Sequence, residues 1–424
     1  MSSVSASQGA AGQLLRNRFF QTVMLSNVLL QIGIWVRNFA ILMFVTDKTG
    51  NDPVAVSLIS FVEFAPIFIF SFIGGTFADR WRPKRTMIWC DILSSVSVFV
   101  VLLTLVFQAW EAIYFATLVS AILSQFSQPS VMKLFKQHIP ENQLQTAMAF
   151  FQTLVAIMMV GGPALGIAAY HQLGIELSIS VMGIAFLLSA LVLVRIPADR
   201  KEEHAGAVKR RVTQDLKDGI RYVMRSQVLR TLCGTFALAG LAVGIVQTLG
   251  LFIVTERLGK PKEFLQFMMM VNGVAMLIGG ISVMALAKRL SPQKMLALGM
   301  LVNTVCMIGI GFSTNVTLTM VLQFTNGLFF PVIQVAISTM MLQWSEESFV
   351  GRVNGVVSPM FSGMMVTTIA TSGLLMKVMP LVTIYSIAGL LMFAGALLLV
   401  PIFKHKAPVR EMSGAPIAAS AGTH

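Results

Sequence analysis

Three ionisable side chains stand deep inside long apolar runs of this 424-residue chain: Arg37, Glu63 and Asp91. A charge at bilayer depth costs at least ~2.5 kcal/mol, so each is a functional candidate by default. Arg37 lies 19 residues beyond Arg18, about 28 Å along a helix, and Glu63 lies 16 residues before Asp79, about 24 Å. Similar depths on consecutive antiparallel helices allow an ion pair. A carboxyl beside a guanidinium that can move away is a natural proton carrier; a static structural pair is the other reading. Asp91 sits about one and a half turns into its run, near a basic segment, where it reads as an anchor for that segment more than as a substrate ligand.

That basic segment is GGTFADRWRPKR (74–85), in which seven residues from Asp79 to Arg85 hold one acid and four bases between two apolar runs. Amides form a third group of candidates. Asn27, Gln31 and Asn38 share one helical face with Trp35 nearby, Gln323, Asn326 and Gln334 share another, and Gln125, Gln247 and Asn272 stand singly. Lipid cannot satisfy amides, so these residues line a central cavity or serve as interhelical hydrogen bonds of ~0.6 kcal/mol each. Aromatic and flexible side chains such as Phe39, Phe126, Phe329 and Met268–Met270 add apolar surface suited to varied amphipathic ligands, or are plain core.

The elements that carry these residues are transmembrane helices. The chain is 56% hydrophobic and only 12% charged, with mean hydropathy +0.79, against about 25% charged in soluble proteins. Apolar runs of about 20 residues suffice to span a bilayer. They place spans at about 19–45, 53–78, 86–107, 111–136, 142–169, 174–195, 228–255, 263–287, 293–313, 317–343, 349–377 and 380–402. The polar stretch 196–227 between spans six and seven reads as a linker followed by a short amphipathic helix. With the N-terminus inside, 25 of the 31 basic residues fall on the cytoplasmic side and 5 outside, which orients both termini inward. The organisation is a cytoplasmic tail (1–18), a six-helix bundle (19–195), the linker (196–227), a second six-helix bundle (228–402) and a cytoplasmic tail (403–424).

The halves echo each other. ADRWRPKR (78–85) aligns with AKRLSPQK (287–294), each after a glycine pair, Gly74-Gly75 and Gly279-Gly280. Six spans plus six, joined by a linker, form a parallel repeat about an axis along the membrane normal. The net charge of +13 is explained by the basic inner segments, so no nucleic-acid partner is expected. The three cysteines lie in apolar runs without CxxC or Cys/His spacing, giving neither a disulfide framework nor a zinc site. No GxSxG, P-loop or HExxH is present, so enzyme and ATP-driven classes fall away. No filter-like loop or charged ring favours a channel.

On these features the sequence resembles the major facilitator superfamily over nearly its whole length. Gly75, Asp79, Arg80, Lys84 and Arg85 match the family pattern G-x-x-x-D-R-x-G-R-[KR]-[KR], while Arg82 and Pro83 replace an inner glycine and a base. TDKTGNDPVAVS (46–57), FSQPSVMKLFKQHIPENQL (126–144) and VGRVNGV (350–356) are similar to macrolide-efflux-type exporters, a group that includes enterobactin exporters. VGGPALG (160–166), with Gly161, Gly162, Pro163 and Gly166, is similar to the Gly-Pro motif of antiporters, which is thought to help seal the path between halves; a small-residue helix contact is the alternative. The span-four arginine common in such exporters is missing from LVSAILSQFSQPS (118–130).

The resemblance implies an all-α membrane protein of twelve helices in two six-helix bundles. It implies a monomeric, multi-pass exporter in a bacterial inner membrane, surrounded by lipids, without cofactor or metal. The substrate would be a small amphipathic drug-like molecule of macrolide or multidrug type, moved by alternating access with protons as the coupling ion. A siderophore or other metabolite exporter and a lysolipid flippase are the alternatives. The resemblance also implies a cytoplasmic latch in which Asp79 is held by Arg80, Arg85 or the start of span eleven near Arg352.

Overall fold

The computed structural model describes residues 13–71, 82–197, 212–287, 289–346 and 349–404. Gly75, Asp79 and Arg80 lie outside the described residues. The helices are α1 (Arg18–Lys48), α2 (Pro53–Ser71), α3 (Pro83–Val106), α4 (Ala112–His138), α5 (Glu141–Val194), α6 (Val212–Arg225), α7 (Gln227–Phe252), α8 (Leu265–Ala287), α9 (Pro292–Phe312), α10 (Val316–Trp344), α11 (Val350–Val378) and α12 (Leu381–Leu398). Helices suit the composition, because a helix satisfies its own backbone groups without water.

Ten of these segments are long and apolar enough to cross a membrane. One of them, α5, has 54 residues, about 80 Å at the usual rise and too long for a single crossing. Gly174 breaks it with φ 72° and ψ −179°, a backbone conformation that glycine adopts without steric cost. Its two arms are therefore two spans, joined by one glycine instead of the four-residue junction expected before residue 174. The 27-residue α4 is long enough for the remaining span, and its Gln and Ser content lowers its hydropathy. The fold is thus twelve spanning helices, with α6 lying in the linker between two sets of six.

The repeat is visible in local structure. Pro83 opens α3 and Pro292 opens α9, each at the first helical turn after an extended N-cap, Arg82 or Ser291. Proline suits that position because its missing N–H would have no intrahelical partner. Pro83 therefore starts a helix where the family pattern has a base.

Arg18, Arg82, Arg195 and Lys294 mark one end of the bundle, called here the basic end. Lys48, Asp52, Lys262 and Lys377 mark the far end. The first half has one apolar core at the basic end, around Phe20, Phe135 and Phe151, and another at the far end, around Val45, Val98 and Phe186. The core of the second half reaches across to Phe39, Met43, Val56 and Ile167 of the first. The halves also meet where α2 packs on α11 and α5 packs on α8. Gly373 of α11 allows the first contact, since a Cβ there would sit 2.4 Å from the Pro53 carbonyl oxygen. Outward-facing Ile281, Val305 and Leu191 leave large apolar surfaces uncovered by protein, as a lipid-embedded bundle requires.

Candidate functional site

Arg37 and Glu63 face each other across α1 and α2. Arg37 Nη2 lies 3.9 Å from Glu63 Oε1, with Arg37 4% and Glu63 24% exposed. Asn38 ties the two together. Its Nδ2 donates to Glu63 Oε1 at 2.5 Å, and its Oδ1 accepts from Arg37 Nε at 2.9 Å. Arg37 Nη1 donates to Ser120 Oγ of α4 at 2.6 Å. A guanidinium that has left water keeps a favourable energy only while its N–H groups stay paired, and three helices supply partners here. Ser120 gave no sign in the sequence, since serines are ordinary in these runs.

Asp91 has different surroundings. It is buried in α3, and Ser189 Oγ of the second α5 arm donates to its Oδ2 at 2.6 Å. Ser189 Oγ lies 2.8 Å from Ser26 Oγ of α1. Asp91 thus joins α1, α3 and α5 within the first half.

The Gly-Pro stretch packs directly on α1. A Cβ at Gly162 would fall 2.2 Å from the Trp35 indole, and one at Gly166 would fall 2.5 Å from the Trp35 carbonyl oxygen, whereas Gly161 faces open space. Trp35 stacks on Phe39 with ring centroids 5.8 Å apart, and both touch the core shared between the halves. Pro163 sits inside α5 between these glycines. The stretch sets where the Trp35–Phe39 pair lies against the second half.

The amides are dispersed. Asn272 Nδ2 donates to the Gln323 carbonyl at 3.1 Å and to Asn326 Oδ1 at 3.4 Å. Asn326 Nδ2 donates to Asn303 Oδ1 at 3.3 Å. These bonds lace α8, α9 and α10 together. Asn27 is buried with its Oδ1 unpaired, and Gln31 is half-buried in α1. Gln125 Nε2 is 3.4 Å from Ser124 Oγ. Gln247 and Gln334 are exposed. A largely apolar groove of about 410 Å³ lies at the basic end between α8 and α10, lined by Leu286, Arg289, Leu328, Phe329 and Val332. Of the residues singled out in the sequence, Phe329 is the one it contains.

At the basic end, Lys84 Nζ donates to the Val194 carbonyl at 2.9 Å and to that of Ile196, capping the end of α5 with a cation. Arg85 is exposed. Arg352 lies over the Phe349 ring at 4.7 Å, and Phe349 stacks on Tyr222 of α6 at 4.4 Å. Gly219 of α6 rests on the Arg352 backbone. The linker helix is thereby fixed to the start of α11.

The far end carries a charged network that joins the halves. Lys262 pairs with Asp47 and stands 5.7 Å over the Tyr170 ring, and Tyr170 Oη donates to Asp47 Oδ2 at 2.8 Å. His171 Nε2 lies 3.0 Å from Glu263 Oε1, and Lys377 Nζ lies 2.9 Å from Asp52 Oδ1. The Lys377 hydrogen bond holds the Asp52 carboxyl below its usual range. In the sequence Lys262 and Lys377 count only as outer charge, and their partners emerge from the packing of the helices.

The chain matches the family model described as Major Facilitator Superfamily over residues 23–316 and 248–418. The chain belongs to that superfamily. It is a multi-pass membrane transporter, not an enzyme. Among superfamily relatives it is similar to the uncharacterized MFS-type transporter YkuC of Bacillus subtilis, at 23% identity over 87% of each chain. It is 25% identical to the multidrug efflux pump Tap of Mycolicibacterium fortuitum, over 71% of this chain and 75% of Tap. It is 24% identical to macrolide efflux protein A of Streptococcus pyogenes, over 55% of each. The fold resembles the crystal structure of the nucleoside transporter NupG, with TM-score 0.74 and 14% identity over 92% of this chain and all of that one.

Proposed function

We propose that this chain exports amphipathic drug-like molecules, of macrolide or multidrug type, by alternating access and proton antiport. The observation that carries the coupling is the Arg37–Asn38–Glu63 cluster, a charged system kept inside the bundle at a cost that a purely structural contact does not need. Glu63, the more exposed member, takes and releases the proton as Arg37 moves relative to it. The multidrug and macrolide relatives support the substrate class.

The basic end is cytoplasmic by the distribution of Lys and Arg. On this reading the far-end network, which ties the halves together, acts as the outer gate. Substrate meets Gln31, Trp35 and Asn38 on α1 and the amides of α8 and α10 between the halves. Gly75, Asp79, Arg80, Lys84, Arg85 and Arg352 act as the opposing cytoplasmic latch. The protein works as a monomer in a bacterial cytoplasmic membrane.

Everted membrane vesicles test this reading. Acidifying the lumen should drive uptake of macrolides or cationic dyes, and nigericin should abolish it. Uptake of siderophores or lysolipids instead, or uptake indifferent to the pH gradient, would overturn the substrate or the coupling part respectively.

A further inference from the structure

The groove of about 410 Å³ between α8 and α10 belongs to none of the clusters that the export reading uses. Sites that enclose small molecules span about 300–1,000 Å³, so the groove is large enough to hold one. Its lining is Leu286, Leu328, Phe329 and Val332 with two polar residues, Ser282 and Arg289. Ser282 Oγ donates within its own helix, to the Ile278 carbonyl at 2.9 Å. The Arg289 side chain is exposed and has no ion-pair partner among the described residues. An apolar cleft thus ends at one cation with unused donors.

Helical spacing shows which way the groove opens. Val274, Ile278 and Ile281 are exposed on one face of α8; Ser282 stands four residues after Ile278, and Leu286 four after Ser282. On α10, Val321 and Val335 are exposed, and Leu328 and Val332 fall between them at helical spacing. Exposed apolar faces of this kind are the ones that a bundle turns to lipid. The groove is therefore a cleft in the lipid-facing wall. Arg289 follows the last turn of α8, at the basic end, where a long cationic side chain reaches the headgroup layer.

The charge around the groove selects an anion. Between Glu263 and Glu346 the sequence contains no acid, while Lys288, Arg289 and Lys294 follow one another after α8. A guanidinium holds a phosphate through paired N–H donors. A zwitterionic headgroup brings a cation of its own toward the same bases, whereas an anionic one does not.

We propose that this groove binds one anionic phospholipid from the leaflet at the basic end. Its phosphate sits on Arg289, and one acyl chain lies along Leu286, Leu328, Phe329 and Val332. The lipid braces α8 against α10, the helices that the Asn272–Asn326 hydrogen bond also joins. Phe329, which the sequence suggested as apolar surface for a transported ligand, meets the acyl chain instead. The site depends on neither the Arg37 cluster nor the direction of transport.

Native mass spectrometry tests the site on the full-length protein, purified in detergent and titrated with phosphatidylglycerol or phosphatidylcholine. The wild type should hold one phosphatidylglycerol at least about tenfold more tightly than phosphatidylcholine. R289Q should remove that preference. S282W, which fills the groove from an exposed position, should remove it too. K136Q, which deletes an exposed base elsewhere at the basic end, should keep it. If R289Q fails to fold, S282W and the comparison of the two lipids still decide. A preference unchanged in R289Q or in S282W overturns the site, as does equal binding of both lipids by the wild type. An equal loss in K136Q would reduce the effect to overall charge and overturn it as well. Displacement of the bound phosphatidylglycerol by an equimolar macrolide would assign the groove to transported substrate and end the lipid reading.

Discussion

Gly166 of α5 lies so close to α1 that a Cβ at this position would stand 2.5 Å from the Trp35 carbonyl oxygen and 2.6 Å from Phe39 Cβ. Backbone cannot move aside cheaply, so Gly166→Ala must push the two helices apart. Overpacking of this kind costs about 1–3 kcal/mol. Gly161→Ala, five residues away with open space around its Cβ, should leave stability unchanged or slightly raised through helix propensity. Thermal unfolding in detergent should show a lower Tm for G166A and an unaltered one for G161A. Equal losses in both would mean that the stretch matters for something other than contact with α1.

The Arg37–Glu63 relationship predicts non-additive kinetics. Each of R37Q and E63Q should lower pH-driven uptake at least tenfold, about 1.4 kcal/mol, and the double variant should be no worse than the more severe single one. E63Q should retain exchange of labelled for unlabelled substrate, which needs no net proton movement. Full additivity of the two losses would show that the residues act separately despite their 3.9 Å approach.

Much of this was legible from residue types. Ionisable groups in apolar runs are conspicuous, so Arg37, Glu63 and Asp91 stood out without any knowledge of partners. The proline of ADRWRPKR recurs in AKRLSPQK, and both prolines open helices. Ser120 and Ser189 were not legible, because serine is common in spanning helices and their partners lie 83 and 98 residues away. The far-end network was hidden for a different reason. Asp47, Asp52, Lys262 and Lys377 sit at helix ends and in loops, where charges are ordinary, and their pairing depends on how the two halves dock. The amides were ambiguous by nature. Asn272 and Asn326 bond to neighbouring helices, while Gln247 and Gln334 are exposed, and helical spacing alone does not distinguish these outcomes.

Asp79 carries the sharpest prediction at the basic end. In sequence it stands between α2 and α3, the one acid beside four bases, and lies outside the described residues. The repeat places Lys288 at the corresponding position, so the acid occurs in one half only. Asp79→Asn should insert and fold normally, as judged by size-exclusion profile, yet lose most transport. Wild-type efflux would reduce the basic segment to a topology signal.

The far-end pairs predict both a mutational and a pH response. Asp47→Lys should oppose Lys262 and weaken far-end closure, and the exchange D47K/K262D should restore it in part. Partly exposed pairs contribute about 0.2–1 kcal/mol each, so a single neutralisation changes the closed-to-open ratio no more than about fivefold. Asp52 gives the pH sign. Its carboxyl is held below the usual range of about 4 by Lys377. Its contribution is thus fully present above that range and is lost as external pH falls through the depressed value. A thiol probe on Val54→Cys, next to the Pro53 contact with Gly373, should react equally at pH 7 and 5. It should react faster in Lys377→Gln at both values. Labelling already faster in the wild type at pH 5 would show that another group controls far-end closure.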